Sequence, residues 1–161
     1  MINNKTLLTT LVTVLIYASS PFTQAKAAEI TKLADDLNIL RRSLIEAGYK
    51  VKIDKPPMQG AYGLVNIKNK TMWIAPITKE MGIFRTTFLH EAVRAAQACK
   101  TGELNTIGWK LDVDKAVKVS IESILYRKYP SNKFDIEREA FQMQGQPDAV
   151  KKIINALEQN C

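Results

Sequence analysis

The period of the hydrophobic pattern changes twice along this chain, and that alone confines the fold to a mixed class. Ile30, Leu33, Leu37, Leu40 and Leu44 recur at spacings of three and four, the mark of one helical face, and Gly48 supplies a stop. Tyr49, Val51 and Ile53 then alternate with Lys50, Lys52 and Asp54 as far as Pro56-Pro57, which is the period of a strand. Two more β-prone segments, Leu64 to Ile67 and Thr71 to Ala75, flank Lys68-Asn69-Lys70 and predict a hairpin. From Gly82 onward the helical period returns. A helix over Gly82 to Cys99 would bury Leu89, Ala92, Val93, Ala96 and Cys99, and Gly102 would end it. A second, capped by Asp112 or Asp114, would bury Val117, Ile121, Ile124 and Leu125 before Pro130. A third covers Phe134 to Gln144, and a fourth starts at Pro147 and buries Val150, Ile153, Ile154 and Leu157. The expected class is α+β, with an N-terminal helix, a small β-sheet containing a hairpin, and then a helical core.

The first residues have a different character. Lys5 precedes an apolar run of 12 residues, Leu7 to Ala18, followed by Ser19-Ser20-Pro21 and by Ala25-Lys26-Ala27. A charged start, a short apolar run and an A-x-A site form the layout of a secretory signal peptide. A membrane-spanning helix needs about 20 apolar residues, so no stable anchor is expected after cleavage. Cleavage after Ala27 divides the chain into residues 1–27 and a single domain, residues 28–161, destined for the periplasm or the exterior. Lys5 and Lys26 leave with the signal and no acid does, which lowers the net charge from +7 to +5. The remaining basic residues form no run longer than two, so a nucleic-acid partner is not expected.

Cys99 and Cys161 are the chain's two cysteines. In an oxidising compartment an even pair predicts a disulfide, here closing a loop that spans much of the mature domain. The alternatives are a buried free Cys99 and, more remotely, a metal-ligating Cys99.

The residues that carry chemistry cluster in Leu89-His90-Glu91-Ala92-Val93-Arg94. Two histidines four apart on a helix can grip one zinc ion, and a glutamate between them can take a proton from zinc-bound water. Here His90 and Glu91 fill the first two places and Arg94 stands at the third. A guanidinium has no lone pair to offer a metal, and His90 is the only histidine in the chain. A catalytic zinc usually keeps three protein ligands. On this donor set no cofactor is expected, zinc being the one ion the motif would otherwise take. The plain alternative is a surface helix on which Glu91 pairs with Arg94 at i, i+3. Thr87, Gln97 and Ala98 are further candidates for the border of a pocket.

A hairpin, then LHEAVRAAQ on a helix, then a later helix with Glu137-Arg138-Glu139-Ala140-Phe141, resembles the small gluzincin-type zinc peptidases. GLVNIKNKTMWIAP, FLHEAVRAAQAC and the tail from Glu137 are also similar to short exported cyanobacterial proteins whose helix reads HEAVH. The resemblance covers most of the mature chain. It implies a zincin-like fold, substrate held along the edge of the hairpin sheet by strand addition, and a third metal ligand from a glutamate on the later helix. Glu137 and Glu139 lie about 200° apart around that helix, so only one can face the site. The periodicity does not choose between them; the resemblance selects Glu139. With His90 and Glu139 as residual ligands and Glu91 as vestigial base, Arg94 would replace the charge of the lost ion.

Three functions follow as expectations. The first is an exported pseudo-peptidase that binds a peptide or protein in its groove. A second is a metallopeptidase with a non-standard site of His90 and Glu139, Glu91 acting as general base. A third is a cell-wall glycosidase using Glu91 and Glu139 as acid and base, for which the two carboxyl groups must sit about 5–9.5 Å apart.

Overall fold

The computed structural model describes residues 35–161; the predicted signal peptide and the first turns of the N-terminal helix lie outside the described residues. Helix α1 runs through residues 35–46, and Leu37, Leu40 and Leu44 form its buried face. Gly48, at φ +89°, turns the chain into β1 (Lys50–Ile53) in a left-handed conformation that glycine adopts without strain. Strands β2 (Gly63–Asn66) and β3 (Thr71–Ile74) form the predicted hairpin, with Lys70 at φ +45° in its turn. A single helical turn, α2 (Ile77–Glu80), then precedes the long α3 (Phe84–Cys99). Helix α4 (Lys115–Lys128), a 3-10 turn (Ser131–Lys133), α5 (Phe134–Gln144) and α6 (Ala149–Asn160) complete the chain. The class is α+β.

The sheet order is β1-β3-β2: β3 lies in the middle, parallel to β1 and antiparallel to β2. The segment after β1 therefore passes across β3 and delivers β2 to the outer edge. Ala75 N–H donates to the Tyr62 carbonyl at 2.8 Å, which makes 62/75 a hydrogen-bonded pair. Antiparallel pairs alternate, so the main-chain groups of Gly63 and Val65 point away from β3, toward the open edge. Among the described residues no strand covers that edge.

Helix α3 is the axis of the domain. It packs on β2, β3, α5 and α6, and ten of its side chains are buried, from Phe88 to Val93 and from Ala95 to Ala98. Its many alanines let the neighbouring elements approach closely. Phe88, Leu89 and Val93 meet Leu40, Leu44, Met72, Ile74, Met143, Ile153 and Leu157 in one core. Tyr49 lies in that core and donates its hydroxyl to the Ala95 carbonyl at 3.0 Å.

Several details differ from the periodicity. Asp114 is the cap of α4, its carboxylate accepting from Ala116 N–H at 2.7 Å. Val117 is exposed, because the first turns of α4 extend beyond the body, and only Ile121 and Leu125 are fully buried there. The last helix begins at Ala149, with Val150 and Ile154 at the margin of its buried face. Among the described residues no helix is long and apolar enough to cross a membrane.

Cys99 at the end of α3 and Cys161 after α6 form a disulfide, with Cα atoms 4.8 Å apart. It joins residues 62 apart in sequence, a closure that removes about 4 kcal/mol of unfolded-chain entropy on the loop model. The Cys99→Ser/Cys161→Ser double variant is expected to fold and to lose stability on that scale in urea unfolding. A loss below about 1 kcal/mol would mean that packing alone holds α6 in place.

Candidate functional site

A cleft of about 800 Å³ opens between the outer edge of the sheet and the α4–α5 junction, with α3 as its floor. One wall is formed by Met58, Tyr62 and Gly63 to Val65, the other by Lys128 to Pro130 and Lys133. His90, Glu91 and Arg94 project from α3 into it, joined by Glu137, Phe141 and Gln144 from α5. The 3.6-residue repeat places His90, Arg94 and Thr87 on one stripe of α3, and Glu137, Phe141 and Gln144 on one stripe of α5. The site is therefore where two facing stripes meet.

Glu137 is the hinge of the arrangement. Its side chain is 2% exposed, and each carboxylate oxygen has a basic partner. Oε1 forms an ion pair with the Arg94 guanidinium, and Oε2 lies 3.3 Å from His90 Nε2. Gln144 Oε1 lies 3.2 Å from the other ring nitrogen, Nδ1, and the Phe141 ring stacks at a tilt with its centroid 4.6 Å from that of His90. Burial lowers the pKa of His90, and Arg94 lowers it further against the opposing effects of Glu91 and Gln144. A neutral ring carries one N–H and can donate to only one of these two oxygens.

Glu91 lies under the sheet edge. A methyl group at Gly63 would sit 2.6 Å from its Cγ and 2.7 Å from its Oε1, so only glycine leaves room for this carboxyl group beneath β2. Its Oε2 is buried without a hydrogen-bond partner among the described residues. Burial pushes the Glu91 pKa up, against smaller lowering effects of His90 and Arg94. Burial thus shifts this carboxyl toward its neutral form and leaves it one unpartnered oxygen among the described residues.

Glu139, the glutamate expected at the site, is elsewhere. Its carboxylate accepts from the Gln97 side-chain amide at 2.9 Å and from three successive backbone N–H groups, those of Ile107, Gly108 and Trp109, at 2.9, 2.7 and 3.2 Å. Gly108, at φ +89°, lets those groups converge on one anion. Glu139 therefore fastens the 100–114 loop to the helical core. Glu137, two residues away and on the opposite side of α5, takes the place beside His90, which corrects the expected ligand. The proposed glycosidase pair of Glu91 and Glu139 is not brought together in the cleft for the same reason. Thr87 does border the cleft, whereas Gln97 turns toward Glu139 and Ala98 packs in the interior.

A zinc site needs three protein ligands around one ion. Among the described residues His90 and Glu137 are in contact, and the Arg94 guanidinium already holds one oxygen of Glu137. A divalent cation there would face Arg94 at close range and lack a third ligand. Among the described residues no group of three or more histidine, cysteine or acidic side chains is positioned to hold a metal ion. The residues do not fit zinc.

Sequence reasoning passed over Gly63 and Gln144. An isolated glycine within a strand pattern signals close approach of another group, and Gly63 precedes Leu64 in that way. Gln144 lies two turns along the same stripe of α5 as Glu137, a relation that emerges only once Glu137 is known to face inward. No protein-family model, curated protein or solved structure matches the chain.

The pKa of Glu91 has a consequence for stability. Above its ordinary value of 4.5 the unfolded chain ionises this group while the folded chain resists, so the folded state holds more protons and loses stability as pH rises. His90 acts in the opposite sense: its lowered pKa contributes stability above 6.5 that is lost as pH falls. Glu91→Gln keeps the shape and removes the first effect alone. Thermal melts from about pH 4 to pH 8 should show the variant gaining on the wild type as pH rises. A constant difference across that range would show that Glu91 ionises freely in the folded protein.

Proposed function

We propose that this protein is an exported, zincin-like pseudo-peptidase: a domain whose cleft binds an extended peptide or protein segment and does not hydrolyse it. The observation that carries this reading is the Arg94–Glu137 ion pair at the floor of the cleft. In the His-Glu-x-x-His pattern that the chain resembles, the residue four beyond the first histidine binds the metal. A cation that binds the acidic partner instead satisfies the same buried carboxylate with one fixed positive charge. Glu91, the residue that would serve as base in a hydrolytic site, is buried under β2, and burial raises its pKa.

What remains useful is the binding geometry. The edge of β2 offers the outward-pointing N–H and C=O groups of Gly63 and Val65, spaced for one added strand. The cleft alongside is large enough for several side chains. Glu91 supplies a polar atom beneath that edge with no partner among the described residues.

Elemental analysis of the mature protein, alone and as Arg94→His, tests the reading. The wild type is expected to hold less than ~0.1 zinc per chain after equilibration with zinc and washing, since binding must displace the guanidinium. Arg94→His supplies a second imidazole and frees Glu137, and should raise zinc toward one per chain. Stoichiometric zinc in the wild type, with cleavage of a peptide substrate, would replace the pseudo-peptidase with an active enzyme.

A further inference from the structure

The charges around the cleft are unequally compensated. At its floor the positive charge of Arg94 is matched by Glu137. Glu91 and His90 are both buried, Glu91 beneath Gly63 of β2. The wall formed by the end of α4 and the 3-10 turn carries Lys128 and Lys133, both exposed. Neither makes an ion pair among the described residues. Among the described residues no acidic side chain other than Glu91 and Glu137 lines the cleft. An occupant thus meets two uncompensated ammonium groups on one side and, on the other, the exposed apolar side chains of Met58 and Tyr62 beside the open edge of β2.

We infer that the cleft selects an extended peptide bearing carboxylate side chains, with Lys128 and Lys133 as the residues that read the charge. This rests on the peptide-binding reading above and adds the chemical class of the ligand. An extended chain is favoured over other polyanions because the sheet edge provides main-chain donors and acceptors at strand spacing, which a sulfated sugar cannot use in register. A carboxylate is favoured over an ammonium because a cationic side chain would approach two like charges. Both lysines are solvent-exposed, so each contact contributes modestly and is weakened by salt.

The test is fluorescence anisotropy with the intact mature protein and three labelled octapeptides of alternating valine with glutamate, glutamine or lysine. A labelled sulfated oligosaccharide serves as a fourth probe. The glutamate peptide is expected to bind about tenfold more tightly than the glutamine peptide at low salt, and the lysine peptide most weakly. Lys128→Gln/Lys133→Gln should abolish the difference between glutamate and glutamine peptides. Both substitutions are on the surface, and matching thermal melts will verify that the variant is folded. Equal binding of glutamate and glutamine peptides would overturn the charge selection while leaving a peptide cleft in place. Tight binding of the sulfated probe alone, sensitive to the same two lysines, would assign the cleft to an anionic saccharide. Failure of every probe would remove the peptide-binding reading together with this inference.

Discussion

The structure turns on a buried contact between two helices, in which the Glu137 carboxylate of α5 is held between Arg94 and His90 of α3. A carboxylate this deeply buried is tolerated only with a compensating charge and hydrogen bonds, because its desolvation costs several kcal/mol. Arg94 provides both. Its planar fork suits a carboxylate, and its charge is permanent across the physiological range. Removing either partner from such a pair typically costs about 3–5 kcal/mol, since the remaining charge is left alone. The same contact sets the chemistry of the cleft. It occupies the oxygen a metal would need, and it leaves Glu91 as the only acid in the cleft without a basic partner in direct contact.

Two glutamates two residues apart on α5 thus perform separate tasks. Glu137 faces α3 and the cleft; Glu139 faces the 100–114 loop and binds three of its backbone N–H groups. The loop carries Trp109, Ile107 and Leu111 onto the core, so Glu139 maintains the packing behind the site while Glu137 determines what the site can hold. The disulfide performs a related task at the far end of α3, tying the helix to α6. The floor of the cleft is thereby fastened at the C-terminal end of α3 and along its back. The rim side chains Lys128, Lys133, Met58 and Tyr62 are exposed.

Much of this was legible in the residues. The shift from period 3.6 to period 2 and back marks the sheet and the helices, and the helix expected over Phe134 to Gln144 is α5. The even cysteine pair identified the disulfide. The orientation of α5 was not legible, because Ile136, Ala140 and Met143 lie between the two glutamates and support either facing. Deciding it required the loop that captures Glu139, a contact 30 or more residues away in sequence. The exposure of Val117 was missed for a comparable reason. Periodicity reports which face of a helix is apolar, and only tertiary structure shows how far the core extends along it.

The most direct test uses the fact that His90 is the only histidine, so its ring nitrogens give a single, assignable pair of signals in a long-range proton–nitrogen NMR spectrum. If the fixed guanidinium charge stands where the resemblance would put an ion, adding an equivalent of zinc near pH 7 should leave both nitrogens unmoved and the ring in its neutral form. A stoichiometric shift of Nε2, the atom now turned to Glu137, would mean that the ion displaces Arg94 and that the cleft is a metal centre after all.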